Sequence, residues 1–120
     1  MARVKLLPEA ADDVRALDGA ARKLVLKALQ KLETSPEQRG APLGSRANAQ
    51  SQLTGFRKLV VGDRDYRVVY QVQPDGTVVV VWVIAKRADD EVYRIAAERV
   101  RDYADPARRA ILQAILDAAG

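Results

Sequence analysis

The sequence predicts an α+β domain: an N-terminal strand and an αα-hairpin packed on a largely antiparallel four-stranded sheet, followed by C-terminal helices. Two runs of β-branched and aromatic residues, Phe56–Val61 and Tyr66–Val72, flank the turn signal Gly62-Asp63 and indicate a β-hairpin. A third run, residues 77–85, is apolar on both faces, as expected for a strand that is covered on both sides of a sheet. Helical periodicity before and after these strands supplies the helices.

The N-terminal third predicts one strand and two helices. Residues 3–7 alternate as a strand, and Pro8 ends it while suiting the first turn of a helix over residues 8–17. Asp18 is placed to cap a second helix that runs to about residue 34. The tight connection predicts an αα-hairpin. We expect the second helix to face the core with one apolar stripe, formed by Ala21, Leu24, Val25, Ala28 and Leu32.

Residues 37–54 show little apolar periodicity and are predicted to form a long loop, a feature that is usually functional or disordered in a compact domain. From Asp89 the pattern is helical again, and Asp105-Pro106 caps a last helix that ends at about Ala118. The last helix is expected to have one apolar stripe, formed by Ile111, Leu112, Ile115 and Leu116. The preceding helix is expected to have a solvated face that includes Arg94, Arg99 and Arg101.

Composition limits the possible chemistry. The 120 residues predict a single domain over residues 1–120, with residues 101–120 as a C-terminal helical extension. The chain has no cysteine and no histidine, which excludes thiolate zinc sites, cysteine nucleophiles and Ser-His pairs. A net charge of +4 favours anionic partners such as nucleic acid. We expect a cytoplasmic protein, since neither a signal peptide nor a membrane span is recognisable. We also expect no cofactor.

Cations interrupt the predicted strands. Lys58 and Arg67 lie in neighbouring strands, and Lys86-Arg87 follows the end of the apolar strand, a common place for functional residues. The candidates for contacting an RNA backbone are Lys86, Arg57, Lys23, Lys27 and Lys31. The last three recur every fourth residue along one helix. This stripe alone favours a solvated helix face over a row of phosphate contacts.

These residues, taken in order, resemble the RelE/ParE superfamily of bacterial toxins, most closely its RelE-like branch. The resemblance covers residues 3–100. It is carried by Lys58, the segment YRVVYQV at 66–72, Lys86-Arg87, and Tyr93 within EVY at 91–93. Proteins similar to RelE are ribosome-dependent endonucleases that cleave messenger RNA, whereas proteins similar to ParE poison DNA gyrase.

By resemblance, Lys58, Arg67, Arg87 and Tyr93 occupy the catalytic positions of RelE. Val60 departs from the pattern, because RelE has a second lysine two residues after the first. Metal-free RNA cleavage requires removal of the 2′-hydroxyl proton, stabilisation of charge on phosphorus, and protonation of the departing 5′ oxygen.

These requirements suggest a role for each residue. Arg67 is assigned to the scissile phosphate, Lys58 to the phosphate and to proton transfer near the 2′-hydroxyl, and Arg87 to the leaving group. Tyr93 is assigned either to stacking on a base or to acting as the base.

The sequence therefore predicts the toxin of a type II toxin–antitoxin system, acting as a ribosome-dependent, metal-independent mRNA endonuclease. The implied partners are a cognate antitoxin, in a hetero-oligomer, and mRNA on the ribosome, with no membrane. The helix from Pro106 is expected either to dock across the sheet or to be replaced by an antitoxin segment. Two alternatives stay open: a ParE-like gyrase poison, and a catalytically inactive module that binds RNA or the antitoxin.

Overall fold

The computed structural model describes residues 2–43, 53, 55–62, 66–86 and 89–118. The elements follow the predicted order, with one additional strand and a 3-10 turn at Pro36–Gln38. They are β1 Arg3–Leu6, α1 Pro8–Arg15, α2 Gly19–Lys31, β2 Ala41–Pro42, β3 Phe56–Val61, β4 Tyr66–Val72, β5 Val78–Ala85, α3 Asp89–Asp102 and α4 Pro106–Asp117.

The sheet has the strand order β1-β5-β4-β3-β2. β1 pairs in parallel with β5, and the other three pairings are antiparallel. The predicted α+β class is confirmed, with five strands rather than four. The fifth strand is β2, which lies inside the segment predicted to be a loop; the rest of that prediction, residues 44–52 and 54, lies outside the described residues.

Gly40 allows β2 to approach β3 closely. Its φ is +66°, a conformation that favours glycine, and a β-carbon built at this position would overlap the carbonyl oxygen of Lys58. The pairing of Ala41 with Lys58 therefore depends on a residue without a side chain.

The αα-hairpin forms as predicted. The Asp18 carboxylate caps α2 by accepting a hydrogen bond from the Ala21 amide at 2.8 Å. The predicted stripe of α2 is wrong at Leu24, which is 48% exposed, whereas Leu29 is buried. The helix is rotated so that the positions 21, 25, 29 and 32 face the core, a spacing that is equally compatible with 3.6 residues per turn.

An aromatic cluster anchors the other face of the sheet. The Trp82 ring contacts Phe56 at a centroid distance of 5.3 Å and Tyr103 at 5.6 Å, both edge to face. Residues 79–84 of β5 are all buried, so the prediction of a strand covered on both sides is confirmed. This core holds α3 against the sheet.

A half-buried ion pair closes the edge of β5 where β1 ends. The Asp13 carboxylate accepts from the Ile84 amide at 3.0 Å, and Arg99 donates to Asp13 and to the Trp82 carbonyl oxygen, both at 2.8 Å. The prediction that Arg99 belongs to a solvated face is therefore wrong, while Arg94 and Arg101 are exposed. The pair satisfies strand groups that β1 is too short to reach.

α4 packs on the domain without burying any of its residues. Arg108 near its start pairs with Glu9 at 2.7 Å, and the Lys5 ammonium donates to the Ile115 carbonyl oxygen near its end at 2.9 Å. The predicted stripe is partly wrong, because Ile111 is 45% exposed; its remaining members, Leu112, Ile115 and Leu116, are half-buried. Polar contacts at both ends thus contribute much of what holds α4.

Candidate functional site

Strand pairing assigns each candidate residue to one of two sheet faces. Val60 lies opposite Arg67, and Lys58 opposite Val69, so Lys58, Val60 and Arg67 share the surface that we call the site face. Leu59 and Val68 lie opposite one another on the other face, which α2 covers and which we call the hairpin face. The α3 helix lies over the site face.

Lys58 and Tyr93 meet on the site face. The Lys58 ammonium lies 5.8 Å from the centroid of the Tyr93 ring, within the range of a cation–π contact. Tyr93 reaches this position because α3 places Val92 and Ala96 in the core, and a residue next to Val92 then projects at the margin of the helix. Two of the predicted catalytic residues, 35 positions apart in the sequence, are therefore neighbours.

Arg67 extends this group. It is half-buried and pairs with Val60 on one side and Ala85 on the other. Because Lys58 pairs with Val69, Lys58 and Arg67 are diagonal neighbours across the strands, a relation that typically separates residues by about 7–8 Å. Lys58 and Arg67 therefore lie in one region of the site face.

Arg87 lies outside the described residues. The last residue of β5, Ala85, pairs with Arg67. Val60, the departure from the RelE pattern, is 38% exposed and directly opposite Arg67. The position of the second RelE lysine is thus occupied here by an exposed apolar side chain on the site face.

Two of the predicted RNA-binding residues are not brought to Lys58. The Arg57 guanidinium points to the hairpin face and donates to the carbonyl oxygens of Arg39, at 2.9 Å, and Gly40, at 3.1 Å. The Lys86 ammonium lies 5.9 Å from the centroid of the Tyr66 ring, which also belongs to the hairpin face. Arg57 therefore has a structural role in holding the segment before β2.

Tyr70 holds the same segment from β4. Its buried hydroxyl donates to the Pro36 carbonyl oxygen at 2.8 Å and contacts that of Arg39. Burial raises the pKa of Tyr70, although the nearby Arg57 opposes the shift. Tyr70 is a core residue and not a platform for a base.

The lysines of α2 separate into two groups. Lys27 and Lys31 line a groove of about 350 Å³ between α2 and β3, together with Arg39, whereas Lys23 does not line it. Arg39 was not among the sequence candidates. It lies in a segment without periodicity, so no pattern could have shown that it joins the two lysines.

In the described ranges, no three acidic side chains converge closely enough to hold a metal ion. None of the helices seen there is long and apolar enough to cross a membrane.

Residues 4–91 match the family model of the ParE toxin of the type II toxin–antitoxin system parDE. The chain belongs to the RelE/ParE superfamily of toxins. No curated protein matches the toxin in sequence.

Solved structures of both kinds of toxin resemble it. A mutant of the E. coli toxin RelE in the free state is 27% identical, with a TM-score of 0.64, 83% of this chain covered and 99% of that chain. A chain of the toxin–antitoxin complex RelBE2 from Mycobacterium tuberculosis is 24% identical, with a TM-score of 0.60 and coverages of 72% and 98%. A chain of the chromosomal ParDE system from P. aeruginosa is 17% identical, with a TM-score of 0.55 and coverages of 73% and 98%.

Proposed function

We propose that the toxin is a metal-independent endoribonuclease that cleaves messenger RNA on the ribosome. The observation that carries the proposal is the contact of Lys58 with Tyr93 on the face that also holds Arg67. Cations and a phenol that converge from two strands and a helix have the chemical character needed to bind a phosphate and move protons near it.

In the proposed reaction, the 2′ oxygen attacks phosphorus, forming the 2′-O–P bond while the bond to the 5′ oxygen breaks. Lys58 as the free amine, or Tyr93 as the phenolate, takes the 2′-hydroxyl proton, and Arg67 stabilises the charge that develops on the phosphoryl oxygens. Arg87 donates a hydrogen bond to the departing 5′ oxygen, which takes a proton from water and leaves as a hydroxyl. One preorganised charge contact of this kind contributes about 3 kcal/mol to the transition state.

The open geometry of the site supports the proposed dependence on the ribosome. Lys58, Arg67 and Tyr93 are half-buried on a sheet surface, and proton transfer contributes useful rate only when the RNA is held in line for attack. A ribosome that holds the message would supply this alignment.

The proposed partner that controls the toxin is a cognate antitoxin. It would cover the site face or take the place of α4, whose residues are nowhere fully buried. A structure of the complex in which the antitoxin touches neither the sheet nor the surface under α4 would contradict this.

A ParE-like gyrase poison is the second candidate. Two observations favour it: the family model that matches is that of ParE, and Val60 replaces a lysine of the RelE pattern. A poison of this type would inhibit DNA supercoiling and leave messages intact.

Induction of the toxin in growing cells separates these functions. We expect new RNA ends within coding regions after induction of the wild type, and about 10²-fold fewer after induction of Arg87→Ala. The matched control is Arg101→Ala, which removes an exposed arginine of α3 and should cleave as the wild type does. Intact messages together with relaxed plasmid DNA would instead assign the toxin to gyrase, and equal cleavage by Arg87→Ala would remove Arg87 from the mechanism.

A further inference from the structure

A basic groove borders the site face. It lies between α2 and β3, and its lining within the described part of the chain includes the cations Lys27, Lys31 and Arg39 and no carboxylate. Its floor is apolar and comprises Leu24, Ala28, Leu59 and Val61. Its volume is about 350 Å³, at the small end of the range for ligand pockets.

The cations of the groove are positioned by structure on two sides. Lys27 and Lys31 are one helical turn apart on α2, so their side chains project in the same direction. Arg39 faces them from the segment before β2, and its Nε donates to the Thr34 carbonyl oxygen at 2.8 Å. An anion in the groove would therefore meet positive charge from both walls.

Val60 connects the groove to the proposed site. It lines the groove and is also the residue opposite Arg67 on the site face. A chain of phosphates that lay on Lys58 and Arg67 could pass over Val60 and enter the groove. Val60, which departs from the RelE pattern, therefore lies at the boundary between the site face and the groove.

We propose that this groove binds the phosphate backbone of the RNA strand next to the scissile linkage. The inference rests on the proposed endonuclease function. RelE has a lysine at the position of Val60, and we assign part of that lysine's charge contribution to Lys27, Lys31 and Arg39. The described residues that line the groove include no aromatic side chain, so recognition there depends on phosphates and not on bases. Continuity with Arg67 favours an RNA strand over an acidic protein segment.

Binding of a short RNA that cannot be cleaved tests this inference separately from catalysis. The probe is a labelled oligonucleotide of about eight nucleotides with every 2′-hydroxyl methylated, titrated with the full-length toxin at several salt concentrations. We expect the double variant Lys27→Ala/Lys31→Ala to bind about tenfold more weakly or worse, with a salt slope reduced by about 1.4, since two phosphate contacts are lost.

Two comparisons make the result specific. The charge-matched variant Arg101→Ala/Arg109→Ala, which removes two exposed arginines elsewhere, should retain the wild-type slope. Lys23→Ala should weaken binding less than Lys27→Ala, because Lys23 does not line the groove. Equal losses from both double variants, or no loss from Lys27→Ala/Lys31→Ala, would overturn the proposal.

A hexaglutamate peptide tests whether the groove binds an acidic protein segment instead of RNA. If it binds more tightly than the oligonucleotide and loses affinity in Lys27→Ala/Lys31→Ala, the groove is a docking site for an acidic protein segment and the proposal is wrong. Groove-dependent binding by a toxin that leaves cellular mRNA intact would contradict the endonuclease function and not the groove.

Discussion

Asp13 and Arg99 form hydrogen bonds with backbone groups at the edge of β5 that a longer β1 would otherwise pair with. The two side chains are 19% and 18% exposed, and together they occupy the Ile84 amide and the Trp82 carbonyl oxygen. Removal of Asp13 would leave a half-buried guanidinium and an unpaired strand amide. This contact adds to the core packing that holds α3, which carries Tyr93, against β5.

We expect Asp13→Ala to lower the free energy of unfolding by about 2–3 kcal/mol, because it breaks a largely buried ion pair and uncaps a strand. Urea denaturation measures this change. The adjacent Asp12 is a matched control: it is 70% exposed and pairs with Arg15 on the surface, so Asp12→Ala should change the free energy by less than about 0.5 kcal/mol. Similar values for the two variants would refute the structural role of Asp13.

Single residues were predictable from sequence to different extents. The alternation of β3 and β4 placed Lys58 and Arg67 on neighbouring strands, and only the family resemblance added Tyr93 to them. Arg99 was assigned to solvent because its partner is 86 positions away and no local pattern marks such a pair. Contacts of this kind are fixed by how elements pack.

Among the helices, α4 is held by groups that can be titrated. Glu9 accepts hydrogen bonds from Tyr103 and from Arg108, both at 2.7 Å. Burial works to raise the pKa of Glu9, but these hydrogen bonds outweigh it and hold the pKa below its ordinary value. Burial and the hydrogen bond to Glu9 raise the pKa of Tyr103 to about 12.

Acid should therefore loosen α4. Because the pKa of Glu9 is lower in the folded state, its stabilising contribution is complete above the unfolded value of 4.5 and is lost as the pH falls through the folded value. We expect hydrogen-exchange protection of α4 to fall as the pH is lowered below 4.5, while β4 and β5 remain protected. In Glu9→Gln, α4 should be less protected than in the wild type at pH 6, and its protection should change little as the pH is lowered. An equal acid response in both proteins would exclude Glu9 as the cause.

Long periodic elements were predictable and short ones were not. β3 and β4 are strand runs of six and seven residues, β5 is a continuous apolar run of eight, and the caps Asp18 and Asp105 mark their helices as expected. β2 has two residues, so it has no period to detect, and it exists because Gly40, Arg57 and Tyr70 hold it against β3. Leu24 was misassigned because two neighbouring stripes of α2 are both apolar.

The two faces of the sheet are covered by different elements. The αα-hairpin covers one face and has the basic groove at its margin, whereas α3 lies over the other face and brings Tyr93 to Lys58. The order of elements along the chain and the overall class followed from sequence patterns. The groove did not, since it joins α2 to Arg39 across the sheet edge and exists only in the assembled domain.

The chemistry of the RNA ends tests the proposed site most directly. Attack by the 2′ oxygen predicts that toxin-cleaved messages carry a cyclic or 3′ phosphate upstream and a 5′-hydroxyl downstream, and that Lys58→Ala and Arg67→Ala abolish these ends while Arg101→Ala retains them. Fragments with 5′-phosphate and 3′-hydroxyl ends, or the same 5′-hydroxyl ends from Lys58→Ala and Arg67→Ala as from the wild type, would contradict the assignment.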